Sequence, residues 1–377
     1  MKRIPLTDSV LQFWGASDIV VKPTGASPRR LPAWTAAQIP DVFTNSMVGM
    51  ASGVRLAFRT DSPVIDISVS CSAHRMHNEA KPTIGFDLAI DGEIVAGACD
   101  EHALIFVLGP GANDVAIEAG ASSKLSFDGL PPTDKLVEIW LPARANVIVE
   151  SLSIHDDATA SIATHGGTKW VHYGSSISHC LEAERPSDVW PAVAARKTGA
   201  NLTNLGLAGC CHLDQFVART IRDMAPDVIT LKLGINIVNA LSMSERAFIP
   251  AVHGFLDTIR EGLPTTPILV ISPIYCPPAE NDVGPTGRDA NGKCITTIAP
   301  AELRPMALTL RRIREILSSI VDSRAASGDE NLSYLNGLEL FDEADIGDMP
   351  DDLHPNANGY VTMGDRFATI AKTRGLL

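Results

Sequence analysis

The chain has 377 residues, 45% hydrophobic and 20% charged, with a formal net charge of -13 at neutral pH. That length and composition describe a soluble globular protein with a substantial core, built as two domains or one large one. The negative balance argues against nucleic acid or an anionic membrane as a partner, because phosphates repel such a surface. No apolar run reaches the roughly 18 residues that a membrane-spanning helix needs.

The first residues, MKRIPLTDSVLQFW, open on two positive charges, but Pro5, Thr7, Asp8 and Ser9 interrupt any signal-peptide core. From about residue 50 to 155 the pattern is one of short strands. In VIDISVSC, Ile65, Ile67 and Val69 alternate with Asp66, Ser68 and Ser70, the period of a half-buried strand. VRLAFRT, GFDLAIDG, HALIFVLG, DVAIEAG, KLVEIWLP and NVIVESLSI follow, with IDGE reading as a tight turn. Strands without intervening helices predict an antiparallel β-sandwich or jelly roll over residues 1–160.

The small, polar run HDDATASIATHGGTKW places a domain boundary near residues 156–167. Beyond it, over 161–377, strands alternate with helices. KWVHYG, NLTNLG, DVITLKLG, PILVISPI and LSYLNGLEL read as strands. PSDVWPAVAARKTG, LDQFVARTIRDM, SERAFIPAVHGFLDTIREG, the stretch around Leu310, Ile313, Leu317 and Ile320, and ANGYVTMGDRFATIAKTR read as helices. This rhythm predicts a doubly wound, flavodoxin-like α/β fold with a five-stranded parallel sheet and its site at the strands' carboxyl ends.

Four loops at that edge carry residues suited to chemistry. GSSIS follows the first strand, NLGLAGCCHLD includes the second strand's end, LKLGINIVN places Asn236 beyond the third, and MPDDLHPNANGY sets Asp351 and His354 three apart before the last helix. A serine nucleophile needs a general base, a carboxylate to orient that base, and donors for a developing oxyanion. These loops supply each of those types.

In this order the four blocks resemble the SGNH (GDSL-type) hydrolases over about residues 168–377. The resemblance implies Ser176 as nucleophile, His354 as general base and Asp351 as its partner. It also implies an oxyanion hole from the N–H groups of Ser176 and Gly209 and the side chain of Asn236, with no cofactor and no metal. Ser175 stands where the family usually has Asp, and Ile237 follows the key Asn. Asp352 is a rival to Asp351, which the three-residue spacing favours. The N-terminal half is similar to the β-sandwich of one branch of these esterases; GFDLA matches its Gly-x-Asp-Leu-Tyr signature, with Ala89 in place of Tyr.

The implied activity is hydrolysis of a small-molecule carboxylic ester. Two alternatives stand beside it: transfer of an acyl group from a thioester to a hydroxyl of a natural product or sugar, and non-catalytic binding on a hydrolase scaffold. His212 reads equally as a substrate contact or a packed residue, His172 as structural, and Cys180, four residues past Ser176, as a thiol without a dedicated base nearby in sequence. Arg29, Arg30 and Trp34 fit either a cleft or a domain interface. The irregular run at 275–300 reads as a lid or acyl-pocket wall. Seven scattered cysteines without zinc-site spacing point to the reducing cytoplasm, with a Cys276–Cys294 bridge as a weak option. The oligomeric state is not legible.

Overall fold

The computed structural model describes residues 1–7, 9–109, 111 and 114–377. The chain folds as two compact units: Met1–Gly166 with Ala183–Asp188, and Gly167–Glu182 with Val189–Leu377.

The first unit is built from two sheets. One runs Val115–Glu118, Leu104–Leu108, Val64–Met76, Asn146–Ile154, Gly25–Arg29, Asp18–Lys22, with Lys2–Ile4 and Ser123–Asp128 paired to its central strands. The other runs Ala160–Ser161, Arg55–Thr60, Lys135–Trp140, Gly85–Ile90, Glu93–Cys99, with Gln12–Trp14 alongside Arg55–Thr60. Ile65, Ile67 and Val69 point inward and are fully buried, in one core with Phe58, Phe86, Leu88, Val137 and Ile139 of the other sheet. Alternation along each strand therefore makes a two-sheet core. Asp91 and Gly92, both at positive φ, close the hairpin where IDGE predicts a turn.

The pairing departs from a wholly antiparallel sandwich at one place. Val64–Met76 and Leu104–Leu108 run parallel. Between them the chain forms the hairpin Gly85–Cys99 in the opposite sheet, which supplies the crossover a parallel pair requires. Arg55 and Glu138 form a buried ion pair at 2.7 Å, with the guanidinium over the rings of Trp140 and Trp14. Asp87, the acid of GFDL, is buried and accepts from Arg185 and from the Ser187 amide and hydroxyl, at 3.2 and 2.6 Å for the latter two. The short segment 183–188 thereby belongs to this unit.

The second unit holds five parallel strands, β1 (Lys169–Gly174), β2 (Asn201–Gly206), β3 (Val228–Lys232), β4 (Ile268–Ile271) and β5 (Leu332–Leu335), in the order β2-β1-β3-β4-β5. Every pair is parallel and in register, so the strands' carboxyl ends line up along one edge. This is the doubly wound order expected of the strand–helix rhythm.

Residues alternate between the two faces of β1. Trp170 and His172 point to α2 (Trp190–Thr198) and α7 (Ala357–Thr373), where Trp170 stacks on Phe367 at 5.2 Å and His172 meets Trp190 edge-on at 4.7 Å. Tyr173 points the other way and stacks on Phe255 of α5 (Glu245–Arg260). The remaining helices are α1 (Ser176–His179), α3 (Gln215–Met224), α4 (Ile235–Asn239) and α6 (Leu310–Ala326). No helix among the described residues is long and apolar enough to cross a membrane.

The stretch after β4 is more ordered than its composition suggests. It contains a two-stranded hairpin, Thr286–Arg288 paired with Cys294–Thr296.

Candidate active site

β1 ends at Gly174, and the chain turns at once into α1, whose first residue is Ser176. This turn is pinned from several sides. His172 Nε2 lies 2.7 Å from Ser178 Oγ, Asn204 Nδ2 donates to Ser178 O at 2.9 Å, and Trp190 Nε1 donates to Ile177 O at 2.9 Å. At the end of β2, a Cβ on Gly206 would meet the backbone of Ser178 and His179 at about 2.5 Å. Only glycine admits that approach. The result is a rigid, largely buried Ser176, the kind of support that holds a hydroxyl in one position.

Ser176 Oγ lies 3.0 Å from His354 Nε2, and His354 Nδ1 lies 2.8 Å from Asp351 Oδ2. Asp351 Oδ1 also accepts from the amides of Leu353 and His354, at 3.0 and 2.6 Å. Three-residue spacing brings this about: the carboxylate caps its own turn and still reaches the imidazole two residues past that turn's centre. Asp352 points elsewhere and pairs with Lys293 at 3.0 Å.

The electrostatics follow from this contact. Burial opposes ionisation of Asp351, but the hydrogen bond and charge of His354, together with the two amides, hold its carboxyl far below the usual carboxylate range. Burial likewise opposes the imidazolium of His354, yet the carboxylates of Glu182 and Asp351 outweigh it and raise that group. A second acid thus faces the imidazole. Glu182 Oε1 is 3.8 Å from His354 Nδ1, and its Oε2 accepts from Tyr360 at 2.7 Å. Glu182 lies in a turn without a recognisable motif, so only its position six to seven residues after the paired serines hints at a role.

Asn236 sits in α4, just beyond β3. Gly234 before it has φ 116°, and a Cβ there would strike Ile313 at 2.4 Å. Asn236 Oδ1 accepts from the Cys211 amide at 3.0 Å, which fixes the amide plane and directs Nδ2 away from that contact. Gly209 lies two residues before Cys211 in the same loop, with φ 70°. His212 is engaged at both nitrogens, 3.2 Å from Gly209 O and 3.1 Å from Ser242 Oγ. It packs against the loop that holds Gly209.

The hairpin after β4 reaches Asp351 as well. Cys294 N donates to Asp351 O at 2.7 Å, and Arg288 Nη2 approaches Asp351 Oδ2 at 3.4 Å. Cys276 and Cys294 are free thiols with no bridge between them, as are the other five cysteines. Cys180 is buried with its thiol pushed far up by that burial, and Arg30 is buried inside the first unit, donating to Met47 O. Trp34 is exposed. Among the described residues, no group of three His, Cys, Asp or Glu side chains is placed to hold a metal ion.

Residues 168–280 match the model of the GDSL-like lipase/acylhydrolase family. That stretch of the C-terminal unit is similar to the GDSL-like, or SGNH, hydrolases. The solved structures that the chain is similar to include carboxylic ester hydrolases and an acyltransferase. Solved structures with the same architecture run over the whole chain. A salicylyl-acyltransferase from a tetracycline biosynthetic pathway is 27% identical, with TM-score 0.83, covering 100% of this chain and 98% of that one. A putative GDSL-like lipase from Bacteroides ovatus is 21% identical, with TM-score 0.69, covering 99% and 98%. A family two carbohydrate esterase from Clostridium thermocellum, in complex with cellohexaose, is 12% identical with TM-score 0.59, covering 97% and 100%; like the lipase, it shares the fold. A search of curated proteins gives no match. The unit that carries this match is preceded here, as in these structures, by a β-rich N-terminal unit.

Proposed function

We propose that this protein hydrolyses a carboxylic ester of a small molecule through an acyl-enzyme on Ser176. The observation that carries this reading is the unbroken relay from Ser176 Oγ to His354 Nε2 at 3.0 Å and from His354 Nδ1 to Asp351 at 2.8 Å. His354 takes the Ser176 proton as Oγ attacks the ester carbonyl, and Asp351 steadies the imidazolium that forms. The N–H groups of Ser176 and Gly209 and the Nδ2 of Asn236 receive the oxyanion. Collapse of the tetrahedral intermediate breaks the C–O bond, and His354 gives its proton to the departing alcohol. A water molecule, deprotonated by the same imidazole, then releases the acid and restores Ser176. No metal or cofactor takes part in these steps.

A second reading replaces water by an acceptor hydroxyl and the ester by a thioester, so that His354 protonates the departing thiol and the acyl group moves to the acceptor. The likeness over the whole chain to a salicylyl-acyltransferase favours it. The uniformly free thiols support a reducing, cytoplasmic setting for either reaction.

A fluorophosphonate probe tests the common chemistry. Wild-type protein should be labelled and Ser176→Ala should not; equal labelling of both, or of neither, removes the reading and leaves a binding scaffold. Product analysis with short p-nitrophenyl esters, against acyl-CoA plus an acceptor alcohol, then separates hydrolysis from transfer.

A further inference from the structure

We infer that Glu182 is a positioning residue of the site, a second carboxylate that acts on His354 beside Asp351 and is held there by Tyr360. This deepens the acyl-enzyme reading and rests on it.

The geometry is specific. Glu182 divides its oxygens: Oε1 stands 3.8 Å from His354 Nδ1, while Oε2 accepts the Tyr360 hydroxyl at 2.7 Å. Tyr360 is fully buried in α7, the helix that the Asp351–His354 loop leads into. Burial and the neighbouring Glu182 charge keep its phenol protonated, hence a donor. The glutamate is therefore fixed from the same helix that follows His354, instead of swinging freely as a surface acid would.

The charged and titratable groups that face His354 are few. Asp351 contacts Nδ1 directly, Glu182 approaches the same nitrogen from the turn after α1, and Ser176 meets Nε2. Arg288 and the Cys294 thiol reach, from the hairpin, the same Asp351 Oδ2 that contacts His354, and Arg288 opposes protonation of His354. Tyr360 and the buried Cys180 thiol sit behind Glu182. Two anions thus bear on one imidazole against one half-exposed cation. Asp351 sets the tautomer through its hydrogen bond. Glu182, beyond hydrogen-bond reach, contributes charge, which stabilises the imidazolium formed during each proton transfer and raises the pH at which His354 is free to act as base.

Two measurements on the full chain test this: the pH profile of kcat/KM with a p-nitrophenyl ester, and direct NMR titration of His354 in a Ser176→Ala background, which needs no turnover. With Glu182→Gln, both the acid limb and the NMR midpoint should move to lower pH by about half to one unit. The plateau kcat should fall severalfold with KM little changed. Tyr360→Phe should give a smaller shift in the same direction, and Glu182→Asp should restore part of it. An unmoved midpoint in folded Glu182→Gln and Tyr360→Phe proteins overturns the inference. If instead the midpoint moves but fluorophosphonate labelling is absent, Glu182 acts on His354 as inferred and the acyl-enzyme reading is what fails.

Discussion

The guanidinium of Arg288 stands 3.4 Å from Asp351 Oδ2, so the hairpin after β4 ends on the carboxylate that contacts His354. Its positive charge disfavours the imidazolium, the reverse of Glu182. Arg288→Ala should therefore raise the acid limb of kcat/KM by a few tenths of a unit, a small effect because the side chain is half-exposed and screened. Profiles at low and high salt check it: the difference between variant and wild type should shrink as salt rises.

Asp351 and Asp352 are adjacent and chemically alike but face different partners. Asp351→Asn keeps an oxygen for the Leu353 and His354 amides and can present an NH2 group to His354, the wrong partner for a base. A loss of about ten-thousandfold in kcat is expected. Asp352→Asn breaks only the pairing with Lys293 and should stay within about tenfold. Steady-state kinetics on the two variants decide between the carboxylates, and equal losses would contradict the assignment.

Ser175 Oγ is buried without a hydrogen-bond partner, whereas its carbonyl accepts from Ser178 and His179. A buried, unbonded hydroxyl costs stability. Ser175→Ala should therefore match or exceed wild-type thermal stability and retain activity, while Ser176→Ala retains the fold and loses several orders of magnitude in kcat. Calorimetry beside an ester assay measures both.

His172 lies fully buried between Thr230 and Ser178, bonded at 2.7 Å on each side. Burial, with the charge of Lys232 behind it, lowers the imidazole to about 3. Between its usual value near 6.5 and that figure, the unfolded chain binds a proton that the native chain does not. The stability present above pH 6.5 is thus lost progressively as the pH falls towards 3. His172→Phe should flatten the dependence of Tm on pH in this window. It should also lower Tm at pH 8, because the buried Ser178 hydroxyl loses its His172 partner, at about 1–3 kcal/mol, while Thr230 keeps its bond from Trp170.

The parallel sheet was legible because its strands are short apolar runs between helical periods, and their ends fall where the blocks around Ser176, Asn236 and Asp351–His354 occur. The sandwich was legible wherever apolar residues alternate, as at Ile65, Ile67 and Val69. Asp18–Lys22 escaped because it is largely exposed, whereas Ser123–Asp128 was passed over although its buried Leu125 and Phe127 alternate with exposed Lys124, Ser126 and Asp128. The hairpin at 286–296 escaped because its Gly, Thr and Asn content reads as loop. Glu182 could not be found because its significance is spatial: nothing in LEAER distinguishes it from a solvated acid until Tyr360 and His354, 178 and 172 positions downstream in the chain, come to meet it.

Residues 183–188 belong to the N-terminal unit although the chain has already entered the hydrolase unit at Gly167. Arg185 and Ser187 in this segment are bound to Asp87. A hydrolase fragment begun at residue 167 would therefore contain six residues severed from their partners, directly following Glu182. The two units are interleaved in sequence, so shuffling the N-terminal unit between relatives means exchanging the 183–188 segment with it.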